Sequence, residues 1–102
     1  MKNFRCYQLA LALYRETQKL NVKGELKDQL NRAAMSIVLN LAEGSAKQGK
    51  ERLRFFRTAM GSLRETQACL DIANAMALKP DADHLAASLY RLLQNPGRTP
   101  GG

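Results

Sequence analysis

The chain has 102 residues, enough for one domain with a single small core. It is 45% hydrophobic but only 6% aromatic and lacks Trp, and its apolar residues are mostly Leu and Ala, a usage that favours helix and argues against an all-β sandwich. Sixteen Lys and Arg against nine Asp and Glu give +7 and a pI near 9.9, so polyanions, nucleic acid first among them, are the partners such a surface attracts.

From Phe4 to Asn21, Cys6, Leu9, Leu13 and Leu20 recur at helical spacing beside Ala10 and Thr17, with Gln8, Arg15 and Lys19 opposite, which predicts an amphipathic first helix. Lys23-Gly24 breaks the pattern. A second helix is predicted from Glu25 to Glu43, ended by Gly44, the usual residue just past a helix C-terminus. After a loop at 45–49, a third helix starts at Lys50 or Glu51 and runs to about Ala77. Its inner row is Leu53, Phe56, Met60, Leu63, Gln67, Leu70, Asn74 and Ala77, alternating spacings of three and four. Lys79-Pro80 is expected to stop it, with Asp81 or Asp83 capping a short fourth helix of about 11 residues through Leu93, whose inner face is Leu85, Leu89 and Leu92. Short loops between such helices predict an all-α, antiparallel up-down four-helix bundle over residues 1–94, with residues 95–102 a disordered tail.

Several classes are disfavoured. Cys6 and Cys69 lie far apart with no CxxC or Cys/His cluster, so neither a disulfide framework nor a metal site is signalled, and a reducing cytoplasm fits best. The opening residues do not read as a signal peptide, and no apolar run approaches the ~20 residues of a membrane span. His84 is the only histidine, so a His-centred triad lacks partners, and it is expected at the surface. Helical ribonuclease toxins carry an Arg shortly before their His, whereas no Arg stands in the ten residues before His84. No catalytic residues and no cofactor are predicted.

The second helix is more apolar than one core requires. On a wheel of ~100° per residue centred on Leu30, the core arc of Leu26, Ala33, Ala34, Ile37, Val38 and Leu41 is extended by Ala42, Met35 and Leu39 at about 120°, 140° and 180°. Those three either meet another subunit or lie under the fourth helix. Because the fourth helix is short, self-association is expected, with Met35, Leu39 and Ala42 at the interface. The remaining third of the wheel is a polar stripe of Gln29, Arg32, Ser36, Asn40 and Glu43. It serves either as a ligand site or as a network in which these groups satisfy one another, and the structural role is the favoured one.

This stretch, Gln29-Leu30-Asn31-Arg32-Ala33-Ala34-Met35-Ser36-Ile37-Val38-Leu39-Asn40-Leu41-Ala42-Glu43-Gly44, resembles the signature of the four-helix bundle proteins encoded in intervening sequences of bacterial 23S ribosomal RNA genes. A second block, Ala59-Met60-Gly61-Ser62-Leu63-Arg64-Glu65, is similar to the family's downstream element, and the likeness covers about residues 4 to 93. The Gly/Pro-rich end and short fourth helix depart from it. The resemblance implies a bundle assembling into a ring, commonly a homopentamer, without known enzymatic activity. It also implies a kinship with the accessory variability proteins of diversity-generating retroelements, basic rings that bind nucleic acid and a reverse transcriptase. The signature residues it carries over are Arg32, Ser36, Asn40, Glu43, Gly44, Gly61, Ser62 and Glu65, in structural roles. A glycine inside a helix costs about 1 kcal/mol against Ala, so Gly61 is expected where a neighbour approaches closely. Ser62 and Glu65 fall off the apolar arc, and Glu65 or Glu43 is expected to neutralise Arg32.

Charge is uneven along the chain: +4 over residues 1–24, −1 over 25–44, +4 over 45–70 and zero over 71–102. Lys50, Arg54, Arg57 and Arg64 form one stripe on the third helix, away from Phe56 and Leu63, and Lys47 extends its end. Such a run is ordinarily a solvated face. Here it is also the candidate site for RNA or DNA, bound through phosphates with low sequence specificity because few aromatics are available to stack on bases. The alternative is a protein-interaction adaptor, for example an accessory subunit of a reverse transcriptase.

Overall fold

A computed structural model describes residues 4–95. Four helices, α1 (Arg5–Thr17), α2 (Gly24–Ser45), α3 (Gly49–Ile72) and α4 (Lys79–Gln94), follow one another, with a 3-10 turn at Met76–Leu78 leading into α4. Each helix packs on its two neighbours around a square. Across the diagonals, α1 with α3 and α2 with α4, the backbones stay more than 8 Å apart between Cα atoms, and α2 against α3 is the most extensive pairing. The expected tail lies, apart from Asn95, outside the described residues.

The periodicities translate into one shared core. Leu13, Leu30, Ile37, Leu41, Phe56, Leu63, Leu70, Leu85 and Leu89 are fully buried, each contributing about 1.5–3 kcal/mol through removal from water. Phe4 packs on Phe56 with ring centroids 6.0 Å apart and planes tilted by 45°, closing the end of the bundle where α1 begins.

Helix ends depart from the predicted ones for local reasons. α1 stops at Thr17 rather than Asn21 because Lys19 and Leu20 donate three residues back, to the carbonyls of Glu16 and Thr17, tightening the chain out of the α register. Both α2 and α3 open on a glycine with positive φ, Gly24 at 65° and Gly49 at 59°. α3 ends at Ile72, short of Ala77. Asn74 adopts φ 55°, its N–H bonds the Asp71 carbonyl, and the Ala75 N–H bonds the Leu70 carbonyl at 2.9 Å, the six-to-one and five-to-two pair that closes a helix at a left-handed residue. Pro80 starts a helix instead of stopping one. It stands in the first turn of α4, where its missing N–H has no intrahelical partner to lose, so α4 spans 16 residues, with Asp81 in its first turn and no side-chain cap. α4 remains shorter than α2 at 22 residues and α3 at 24.

Gly44 is not a residue past the helix end. It is buried inside the last turn of α2, and a Cβ there meets the Phe56 ring at 2.7 and 2.8 Å and the Phe55 Cβ at 3.0 Å. The glycine is required by the close approach of α2 to α3. Arg52 finishes the corner: its Nε donates to the carbonyls of Gly44 (3.2 Å) and Lys47 (2.8 Å) and its Nη2 to that of Ser45 (3.2 Å), so a cation satisfies the carbonyls at the negative end of the α2 dipole.

Candidate nucleic-acid interface

α3 presents its basic residues as its periodicity requires. Lys50, Arg54, Arg57 and Arg64 are all exposed on the outer side of the helix, while Phe56 and Leu63 are fully buried on the inner side. The row from Lys50 to Arg64 is roughly 21 Å long at ~1.5 Å per residue. Lys50, Leu53, Arg54, Arg57 and Thr58 line a shallow depression of about 610 Å³. The Arg54 guanidinium lies over the Phe55 ring, 4.8 Å from its centroid, which orients the cation without neutralising it. Arg64 donates to Gln67 at 2.9 Å, again a neutral partner. Lys50 and Arg57 have no partner among the described residues. Lys47 differs: it is half-buried and its ammonium lies between Glu43 (3.8 Å) and Glu51 (3.9 Å), so its charge is shared locally.

The signature residues gather elsewhere, along the seam between α2 and α3. Ser36 and Ser62 share a hydrogen bond of 2.7 Å between hydroxyls. Asn40 Nδ2 donates to the Ser36 carbonyl (2.8 Å) and hydroxyl (3.1 Å), and the Thr66 hydroxyl donates to the Ser62 carbonyl at 2.9 Å. Ser62 and Thr66 are buried, so Ser62, though off the apolar arc, lies within the interhelical contact. The predicted neutralisation of Arg32 takes an indirect form: Arg32 Nη2 donates to Gln29 Oε1 at 2.8 Å, and Gln29 Nε2 donates to Glu65. Among the described residues no ion pair joins Arg32 to a carboxylate, and Glu43 turns to Lys47. Gln29 separates the guanidinium from Glu65 because it occupies the position on α2 that faces α3 one turn earlier. The expected close approach at Gly61 is absent. Gly61 is exposed, and a Cβ built there meets nothing within 4 Å. The tight glycine is Gly44, one helix away.

Of the two alternatives for the surplus apolar face of α2, the packing removes cover by the fourth helix. α4 sits diagonally from α2 and does not reach it, leaving Met35 44% and Leu39 58% exposed, with Ala42 half-buried beside them. Arg52 and the close contact at Gly44 escaped sequence reasoning. Arg52 falls outside the basic row, and that it turns back toward a helix end is visible only once the loop closes.

The remaining polar features close on themselves. A cleft of about 340 Å³ between α3 and α4 is bridged by Lys79–Asp71 at 2.6 Å and by Gln67 donating to Asp83 at 3.1 Å. Hydrogen bonding and charge from Asp71 hold the Lys79 ammonium above its ordinary pKa. Cys6 shares a buried hydrogen bond of 3.0 Å with Ser88, and burial pushes the thiols of Cys6 and Cys69 up from their usual value. No group of three His, Cys, Asp or Glu among the described residues is placed to hold a metal ion, His84 is exposed, and no described helix is long and apolar enough to cross a membrane.

Fold and seam together define a small all-α antiparallel four-helix bundle whose second and third helices are joined by a polar ladder. The chain belongs to the family of 23S rRNA-intervening sequence proteins, whose model matches residues 3–95. No curated protein and no solved structure matches it.

Proposed function

We propose that this protein is a non-enzymatic, self-assembling helical bundle of the cytoplasm that binds RNA or DNA through phosphate contacts along α3. The observation that carries the reading is the separation of two exposed faces. Met35 and Leu39 expose an apolar patch on α2, whereas Lys50, Arg54, Arg57 and Arg64 expose cations on α3 that lack acidic partners. The first face suits a second copy of the chain; the second suits a polyanion. A ring, as the family resemblance implies, repeats the basic row in every subunit and converts a modest patch into an avid one. Base readout is not supported, since Phe55, the aromatic beside the row, is covered by Arg54.

A gel shift at two salt concentrations tests this, comparing wild type with Arg54→Ala/Arg57→Ala. Binding that weakens with salt and falls at least tenfold in the double variant is expected; equal binding by both proteins rejects the row as the site. The exposed apolar patch also supports a second reading, an adaptor whose partner is another protein such as a reverse transcriptase. A monomeric chain that shifts no nucleic acid directs the function there.

A further inference from the structure

Resting on that reading, we infer that the α3 face is built for the paired phosphate rows of a double-stranded nucleic acid and not for a single strand. A single strand is flexible, and proteins that hold one without sequence preference combine cations with aromatic platforms on which bases stack, each worth about 1–3 kcal/mol. This face offers little surface for stacking: the aromatic beside the row, Phe55, is half-buried and has its neighbour's guanidinium over one face of its ring. Its cations sit on one uninterrupted 24-residue helix, so their spacing is set before any ligand arrives. A rigid row matches a rigid array of charges, whereas a flexible strand loses conformational entropy to follow it.

Charge density points the same way. A duplex carries one negative charge per ~1.7 Å of axis, so a row of roughly 21 Å laid along it spans about a dozen phosphates from the two strands. Toward the end of the row no side chain stands between the cations: Gly61 lies between Arg57 and Arg64 on that face, exposed and with nothing within 4 Å of where its Cβ would stand. Recognition is of shape and charge, which duplex RNA and duplex DNA share.

The experiment titrates the full-length protein with a labelled 20-base-pair RNA duplex, the DNA duplex of the same sequence, each single strand alone and heparin, between 50 and 200 mM salt. At least tenfold preference for a duplex over its own strands is expected. Four phosphates neutralised per engaged protomer correspond to a loss of about 150-fold across that salt range on a duplex, and two, in Arg54→Ala/Arg57→Ala, to about 12-fold. A single strand or heparin bound as tightly as the duplexes overturns the duplex assignment but leaves phosphate binding standing. Failure to bind any probe overturns both. Because both arginines are exposed, an unchanged thermal midpoint of the double variant ensures that the comparison reads binding and not folding.

Discussion

Gly44 and Gly61 stand in helices, yet the fold makes opposite demands of them. At Gly44 an added methyl group runs into the ring of Phe56, itself fully buried in the core. At Gly61 it enters open space. Helix propensity favours Ala at both positions by about 1 kcal/mol, and at Gly44 the overpacking cost of about 1–3 kcal/mol opposes that gain. Gly44→Ala is therefore expected to lower, and Gly61→Ala to raise by up to about 1 kcal/mol, the stability measured by urea unfolding. Equal shifts of the two midpoints defeat the argument. The sequence marks both glycines as unusual, but the neighbour that makes one indispensable belongs to another helix and is unknown until the two pack.

At the scale of elements, the pairing of α2 with α3 is held by polar groups as well as by Leu and Phe. Ser36, Ser62, Asn40 and Thr66 place hydroxyls and an amide between helices and pair them among themselves and with backbone carbonyls. Because a buried hydroxyl is costly only when left without a partner, Ser62→Ala and Ser36→Ala are each expected to cost about 1–2 kcal/mol. The double variant should cost about 1 kcal/mol less than their sum. Strict additivity in a double-mutant cycle, read by chemical denaturation, removes the coupling. Spacing on the helical wheel locates Ser36 and Asn40 on one stripe and predicts a satisfying network. It does not decide whether Ser62 is buried, because the edge of the apolar arc is where a neighbouring helix can cover a residue or leave it exposed. Helix lengths show the same limit: apolar periodicity continues to Ala77, but the left-handed backbone at Asn74 ends α3 five residues earlier, at Ile72.

For the whole molecule, the square arrangement decides which surfaces remain. α4 lies across the core from α2, so it shields neither Met35 nor Leu39. If that patch joins copies of the chain, light scattering of the wild type gives a multiple of 11.4 kDa. Met35→Glu/Leu39→Glu then reduces the mass to the monomer while the helical signal is retained, since both side chains are exposed in the single bundle. A wild-type mass of 11.4 kDa sinks the self-assembly reading. Gel shifts of the monomeric variant separate avidity from the intrinsic affinity of one basic row.

The sequence by itself determined four helices, most of the residues that face their core and the row of cations along α3, because each follows from periodicity within one segment; Asn74 and Ala77, expected on the inner row of the third helix, are exposed beyond its end. Its signature blocks likewise carried the family. Tertiary structure decided the properties that require two segments at once: the close contact of Gly44 with Phe56, the return of Arg52 to the end of α2, the insertion of Gln29 between Arg32 and Glu65, and the distance of α4 from α2. The +7 charge counted at the outset is visible in composition. That its α3 share stands as an exposed row with Arg54 and Arg64 on neutral partners, while Lys47 is drawn between two glutamates, is visible only where the side chains meet.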